Sequence, residues 1–186
     1  MENKSRCVWC EKDDLYRNYH DNEWGNPLYE DDKLFEFLVL ETFQAGLSWY
    51  TILKKRANFR KAFDYFDYKK IACYDEDKVQ ELLQDAGIIR NQLKIRGTIC
   101  NAIAFMKVQE EFGSFSKYIW NFTDGKPIIN CPKSMKDIPT STPLSDALSI
   151  ALKKRGFKFV GSTVVYAHMQ ATGMVNDHVE GCWKRD

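Results

Sequence analysis

The chain has 186 residues, 44% of them hydrophobic and 28% charged, with a formal net charge of +1. That balance belongs to a folded, soluble protein and excludes a polycation, so a nucleic-acid partner would require the basic residues to be gathered on one face. No run of eighteen apolar residues is present, which excludes a membrane-spanning helix, and the length suffices for one core or for two small lobes sharing one.

The stretch from Met1 to Cys7 holds no apolar h-region, so no secretory signal is expected and the setting is read as reduced and cytoplasmic. Six cysteines allow three disulfides, yet Cys73, Cys100 and Cys131 stand singly, and some cysteines on a metal is the better reading. Cys7-Val8-Trp9-Cys10 is a C-x-x-C, a spacing shared by metal and redox sites. His20 follows Cys7 after twelve residues, and His178 and Cys182 form an H-x3-C near the other end. A thiolate and an imidazole from each end make a Cys2His2 set that suits tetrahedral zinc, closed to substrate and structural, clasping the two ends. Ordinary histidines and buried cysteines fit the same spacing.

Tyr19-His20-Asp21-Asn22-Glu23-Trp24-Gly25 has no apolar stripe and is therefore a poor strand and a poor amphipathic helix. It reads as a site-serving cluster or, more plainly, as a turn with a capped helix start. From Asp31 a long helix is predicted, with Leu34, Leu38, Glu41 and Ala45 on one face. Glu41 then sits where a core residue belongs, and a lone carboxylate there must find a partner or change its pKa. Either it walls a pocket, with Trp49 as roof beyond a bend at Gly46, or the phase is misjudged and it faces solvent.

Lys54-Lys55-Arg56 reads as a solvated basic face, and Phe59, Phe63 and Phe66 as the core side of one helix. Asp75 is expected to cap a helix whose buried side is Val79, Leu82, Leu83 and Ala86. A tight turn containing Gly87 leads to a second helix with Ile95, Ile99, Ala102 or Ile103, and Met106 inward. The pair is a helix-hairpin-helix candidate over residues 79–106, whose turn amides suit a DNA phosphate with Arg90, Lys94 and Arg96 nearby. No Asp or Glu occurs from Ala86 through Gln109. Residues 125–133 read as a loop, Thr142 and Pro143 as a capped helix start, and Gly156 and Gly173 as the stops of the last two helices. His168 is expected to be packed or hydrogen-bonded, not a ligand. The predicted fold class is all-α.

Together Tyr19–Gly25, Gln44-Ala45-Gly46-Leu47-Ser48-Trp49, Asp85–Arg90, Leu152–Gly161 and Asn176-Asp177-His178 resemble the type I 3-methyladenine DNA glycosylases, in order and from Cys7 to Cys182. The resemblance implies a helix-hairpin-helix superfamily fold in a single domain, residues 1–186, of two packed helical lobes. It implies one structural zinc on Cys7, His20, His178 and Cys182; Cys10 matches no ligand position of the family. It implies a base pocket of Glu41, Tyr19, Trp49, Tyr16 and Trp9, with Glu41 as the catalytic or recognition carboxylate. The family lacks the catalytic aspartate of related glycosylases, in keeping with the acid-free stretch. The implied activity is release of 3-methyladenine from damaged double-stranded DNA by base flipping, with Leu47 filling the gap and Gly87, Arg90 and Lys94 on the backbone. A monomer with neither membrane nor protein partner is expected.

Two other classes compete. A zinc-stabilised DNA-binding module without catalysis leaves Glu41 among apolar neighbours unexplained. A zinc hydrolase or nucleobase deaminase lacks its motifs, since neither H-E-x-x-H nor the H-x-E with P-C-x-x-C pattern occurs.

Overall fold

Local signals in the sequence start most of the helices in the computed structural model, which describes residues 4–185. Asp13 caps α1 (Asp14–Asn22), and Ser48 caps α3 (Trp49–Ala62), each by accepting from a backbone amide of the first turn. Between them runs α2 (Asp31–Gln44). A short α4 (Tyr68–Ile71) precedes α5 (Glu76–Gln84), which Asp75 caps, and α6 (Gln92–Phe112), which Asn91 caps. After α7 (Phe115–Trp120) come α8 (Pro143–Lys154) and α9 (Ser162–Ala171). Thr142 and Ser145 form a capping box at α8, with Pro143 at its first position as predicted.

α2 organises the rest. Every residue from Leu34 to Phe43 is buried, so over this span the helix has no solvent face, and it packs against α3, α6, α7 and α9. Its aromatics meet partners edge-on, Phe35 with Phe105 at 5.1 Å and Phe43 with Phe59 at 4.8 Å between ring centres.

Several expectations are corrected. Ala45 and Ala86 are exposed, because α2 ends at Gln44 and α5 at Gln84, before either residue is reached. The helix through Phe59 stops at Ala62, and Asp64, Tyr65 and Phe66 take left-handed φ values of 47°, 57° and 62°. Such residues cost roughly 1–2 kcal/mol each. Burial of Phe66 and a 2.5 Å bond from the Tyr74 hydroxyl to Asp64 offset that cost. Residues 125–133 are not a bare loop. A strand β1 (Ile128–Ile129) pairs in parallel with β2 (Val175–Asn176), so a small sheet joins an otherwise helical fold.

The basic run at α3 is not wholly solvated either. Arg56 is 7% exposed; its Nε donates to Glu36 at 2.7 Å and its Nη1 to Glu23 at 2.6 Å. Arg60 donates to the same Glu36 oxygen at 2.9 Å. Burial alone would raise the pKa of Glu36, but the two guanidiniums outweigh it and hold the group below its usual range. Removing one partner of such a buried set leaves an uncompensated charge. Arg56→Ala is therefore expected to lower stability by roughly 3 kcal/mol in urea unfolding, and Arg56→Met with Glu36→Leu to recover most of the loss.

Candidate active site and metal centre

α1 places Tyr16 and Tyr19 three residues apart and hence on one face. Asp13 fixes that face twice, accepting from the Tyr16 amide at 3.0 Å and from the Tyr50 hydroxyl on α3. Opposite, α2 presents Glu41, and the start of α3 presents Trp49. With α9 and residues 135–140 these elements enclose a cavity of about 370 Å³. Its walls are largely aromatic: Trp9 lies 5.0 Å from Tyr16 and 5.1 Å from Trp24, and Tyr19 lies 5.4 Å from Trp49. All five residues expected in the pocket line it.

Glu41 is 3% exposed and receives no hydrogen bond from any described group. Its oxygens are nevertheless not among the sealed, unpartnered atoms, so they open onto the cavity. Burial without a partner pushes its pKa up to about 8. The Trp49 indole N–H is sealed and lacks an acceptor. His168 is packed, with both ring nitrogens unpartnered, and burial lowers its pKa to about 4.

On the far side of Trp9 and Trp24 the ligand atoms of Cys7, His20, His178 and Cys182 lie within 4.8 Å of one another, and all four residues are buried. The Cys182 sulfur is 3.4 Å from both His20 Nε2 and His178 Nδ1, and the Cys7 sulfur is 3.6 Å from His178 Nδ1. Separations of about 3.5 Å suit sulfur and nitrogen sharing one tetrahedral zinc. The outer nitrogens are engaged as well, His20 Nδ1 with Asp21 at 2.9 Å and His178 Nε2 with the Trp24 carbonyl at 3.3 Å. This set can hold a metal ion. Cys10 lies outside it, its thiol donating to the Cys7 carbonyl at 3.1 Å. Gly25, at φ +77°, leaves room for the cluster, because a Cβ there would sit 2.8 Å from His178 Nε2.

The hairpin residues divide. Arg90 is exposed, and the Gly87 turn lies against α3, where a Cβ would meet Asn58 at 3.1 Å. The Gly87 amide is not free, since it donates to Asp85 Oδ1 at 2.7 Å. Lys94 is corrected: it is 7% exposed, and its ammonium donates to the Phe43 and Ala45 carbonyls at 2.9 and 2.7 Å. It caps the end of α2 rather than facing a phosphate, because the last carbonyls of a helix have no intrahelical donor. Arg96 pairs with Glu76 at 2.6 Å. Leu47, 40% exposed, stands on the loop between two cavity-lining residues, Gln44 and Trp49.

Sequence reasoning did not place Gln44, Trp24, Tyr166 or Gln170 in the cavity. Trp24 and Gln44 lie inside blocks already singled out. Tyr166 and Gln170 carried a weaker signal, two polar-tipped residues four apart on a mostly apolar helix.

All nine α-helices described, and with them the cavity and its carboxyl, fall within the stretch matched by one protein family. A family profile described as "Methyladenine glycosylase" matches residues 9–185, and the chain belongs to that family. It is 52% identical over 177 residues to "DNA-3-methyladenine glycosylase 1" of Escherichia coli (strain K12), with 95% of each chain covered. It is 45% identical over 178 residues to "DNA-3-methyladenine glycosylase" of Haemophilus influenzae, with 96% of each covered. A Staphylococcus aureus structure described as "The structural basis of 3-methyladenine recognition by 3-methyladenine DNA glycosylase I" matches with a TM-score of 0.94 at 35% identity, covering 97% of this chain and 96% of that one.

The state of Glu41 has a measurable consequence. Its carboxyl ionises at about 8 when folded against an ordinary value of 4.5, so between those values the unfolded chain has lost a proton that the folded one keeps. Rising pH therefore favours unfolding across that window, by about 1.4 kcal/mol per pH unit. Glu41→Gln removes this slope. Urea unfolding of parent and variant should show the variant gaining relative stability from pH 4.5 up to about 8; a pH-independent difference would mean that Glu41 is not raised.

Proposed function

We propose that this protein is a monofunctional DNA-3-methyladenine glycosylase that flips the damaged nucleotide out of duplex DNA and hydrolyses its N-glycosidic bond. The observation that carries this reading is the unpartnered carboxyl of Glu41 opening onto a cavity walled by Trp9, Tyr16, Tyr19 and Trp49. Methylation at N3 makes adenine a cation in the DNA. Aromatic faces attract such a ring by about 1 kcal/mol each, and its charge drives the Glu41 proton out to solvent, leaving a carboxylate beside a cation. The base then departs neutral with the electron pair of the broken bond, so no acid is needed to protonate it, and water adds to the sugar cation and gives up a proton to solvent. Normal adenine carries no such charge and would require protonation to leave.

Around this centre, Cys7, His20, His178 and Cys182 would hold one zinc ion. With four protein ligands it leaves no open position for substrate, so the role is structural. Arg90 and the Gly87 turn would meet the DNA backbone, and Leu47 would occupy the gap left by the flipped base. The protein acts as one domain and as a monomer. Among the described residues no helix is long and apolar enough to cross a membrane.

The test is direct. Incubated with methylated duplex DNA, the protein should release free 3-methyladenine, and Glu41→Gln should cut the rate roughly 100-fold. Absence of release by folded protein would favour a non-catalytic DNA-binding module. Elemental analysis should find about one zinc per chain, and Cys182→Ser should reduce both metal content and thermal stability.

A further inference from the structure

Asp177 adjoins His178 but takes no part in the Cys/His cluster. It is 1% exposed and receives three side-chain donors. The Tyr166 hydroxyl and the Gln170 amide each reach its Oδ2 at 2.7 Å, and Asn130 reaches its Oδ1 at 2.7 Å. A carboxylate in that position only accepts, so the donors cannot exchange roles with it. The Gln170 amide group is therefore turned towards Asp177, and its carbonyl oxygen away from it.

Gln170 and Tyr166 stand four residues apart on α9, one turn and the same face, and both line the cavity. The Gln170 Oε1 receives no donor from any described residue, and it is not among the sealed atoms, so it opens towards solvent from a cavity wall. Gln44 lines the same cavity with its amide unengaged, and it can turn either end to a ligand. Gln170 cannot do so without breaking its bond to Asp177. Among the described residues it is the amide of the cavity whose orientation a carboxylate fixes.

We propose that Gln170, held by Asp177, is a specificity-determining acceptor that favours purines with a 6-amino group over those with a 6-oxo group. This rests on the glycosylase reading above. An exocyclic amine offers hydrogens, and in a cationic adenine these are stronger donors than usual. A 6-oxo purine brings an oxygen with two lone pairs, and a fixed carbonyl facing it leaves two acceptors opposed with no proton between them. A site that hydrogen-bonds one group rejects its mismatch because buried polar atoms are left unpaired. Asp177 acts through Gln170 and is a positioning residue.

The experiment compares release of 3-methyladenine and 3-methylguanine from one preparation of methylated duplex DNA, by the parent protein and by Gln170→Met, which keeps the side chain's length and removes the acceptor. The variant should lose about tenfold in kcat/KM for 3-methyladenine and little for 3-methylguanine, so that the selectivity ratio falls about tenfold. An unchanged ratio in an active variant overturns the proposal. Tryptophan fluorescence with the two free bases reads the same selectivity without chemistry, so a protein that discriminates between them but releases neither would sink the catalytic reading and leave this one standing. The hold by Asp177 is read in the parent protein by NMR. The Gln170 side-chain NH2 signals, assigned by their loss in Gln170→Met, should exchange slowly with solvent and persist when free 3-methyladenine binds. Exchange as fast as that of a surface glutamine would overturn the role given to Asp177.

Discussion

The placing of carboxylates inside a helix with no solvent face is the constraint on which the rest depends. Of the four carboxylates on α2 two are buried, Glu36 and Glu41, each 3% exposed. They share a residue type and a helix but differ in partners. Glu36 meets two guanidiniums and stays below its usual pKa, while Glu41 meets none and is raised to about 8. One is a fastening between α2 and α3; the other is an unmet demand for positive charge. Burial sets the cost in both cases, and only the second leaves it to a ligand to relieve.

That demand depends on the enclosure, because the less water a carboxyl reaches, the further burial raises its pKa. The Cys/His cluster lies directly behind the aromatic walls. The Trp24 ring stands 4.6 Å from the His178 ring, and the Trp9 ring 5.4 Å from that of His20, while both indoles line the cavity on their other side. The opposite wall is held through Asp177, the neighbour of His178. The segment from Asp177 to Cys182 thus supplies two residues to the Cys/His cluster and a hydrogen-bonding carboxylate to the cavity wall.

Much of this was legible in the sequence for identifiable reasons. Helix starts at Asp75 and Thr142 were visible because capping is local chemistry. Glu41 was visible because one charged residue interrupts an apolar helical face. Arg56 and Lys94 were misread because a cation's burial depends on acceptors far away in the chain: Glu36 lies 20 positions from Arg56, and the Phe43 carbonyl lies 51 positions from Lys94. The left-handed turn at residues 64–66 was hidden for a related reason, since its compensation comes from tertiary burial and not from turn residues such as glycine. The β1–β2 pairing was missed because two-residue strands carry no periodicity.

Cys7 and His178 are 171 positions apart, and this separation orders events during synthesis. A chain leaving the ribosome offers Cys7 and His20 early, when no more than half of the cluster exists. The helical core around α2 has all its parts before the cluster has its second half, since α9 is complete by Ala171. Bringing the four residues together across so long a loop then costs little, because the folded core has already brought the two segments near each other. Assembly of the cluster becomes the final act of folding, and a chain terminated before His178 could neither complete it nor support the walls that lean on it.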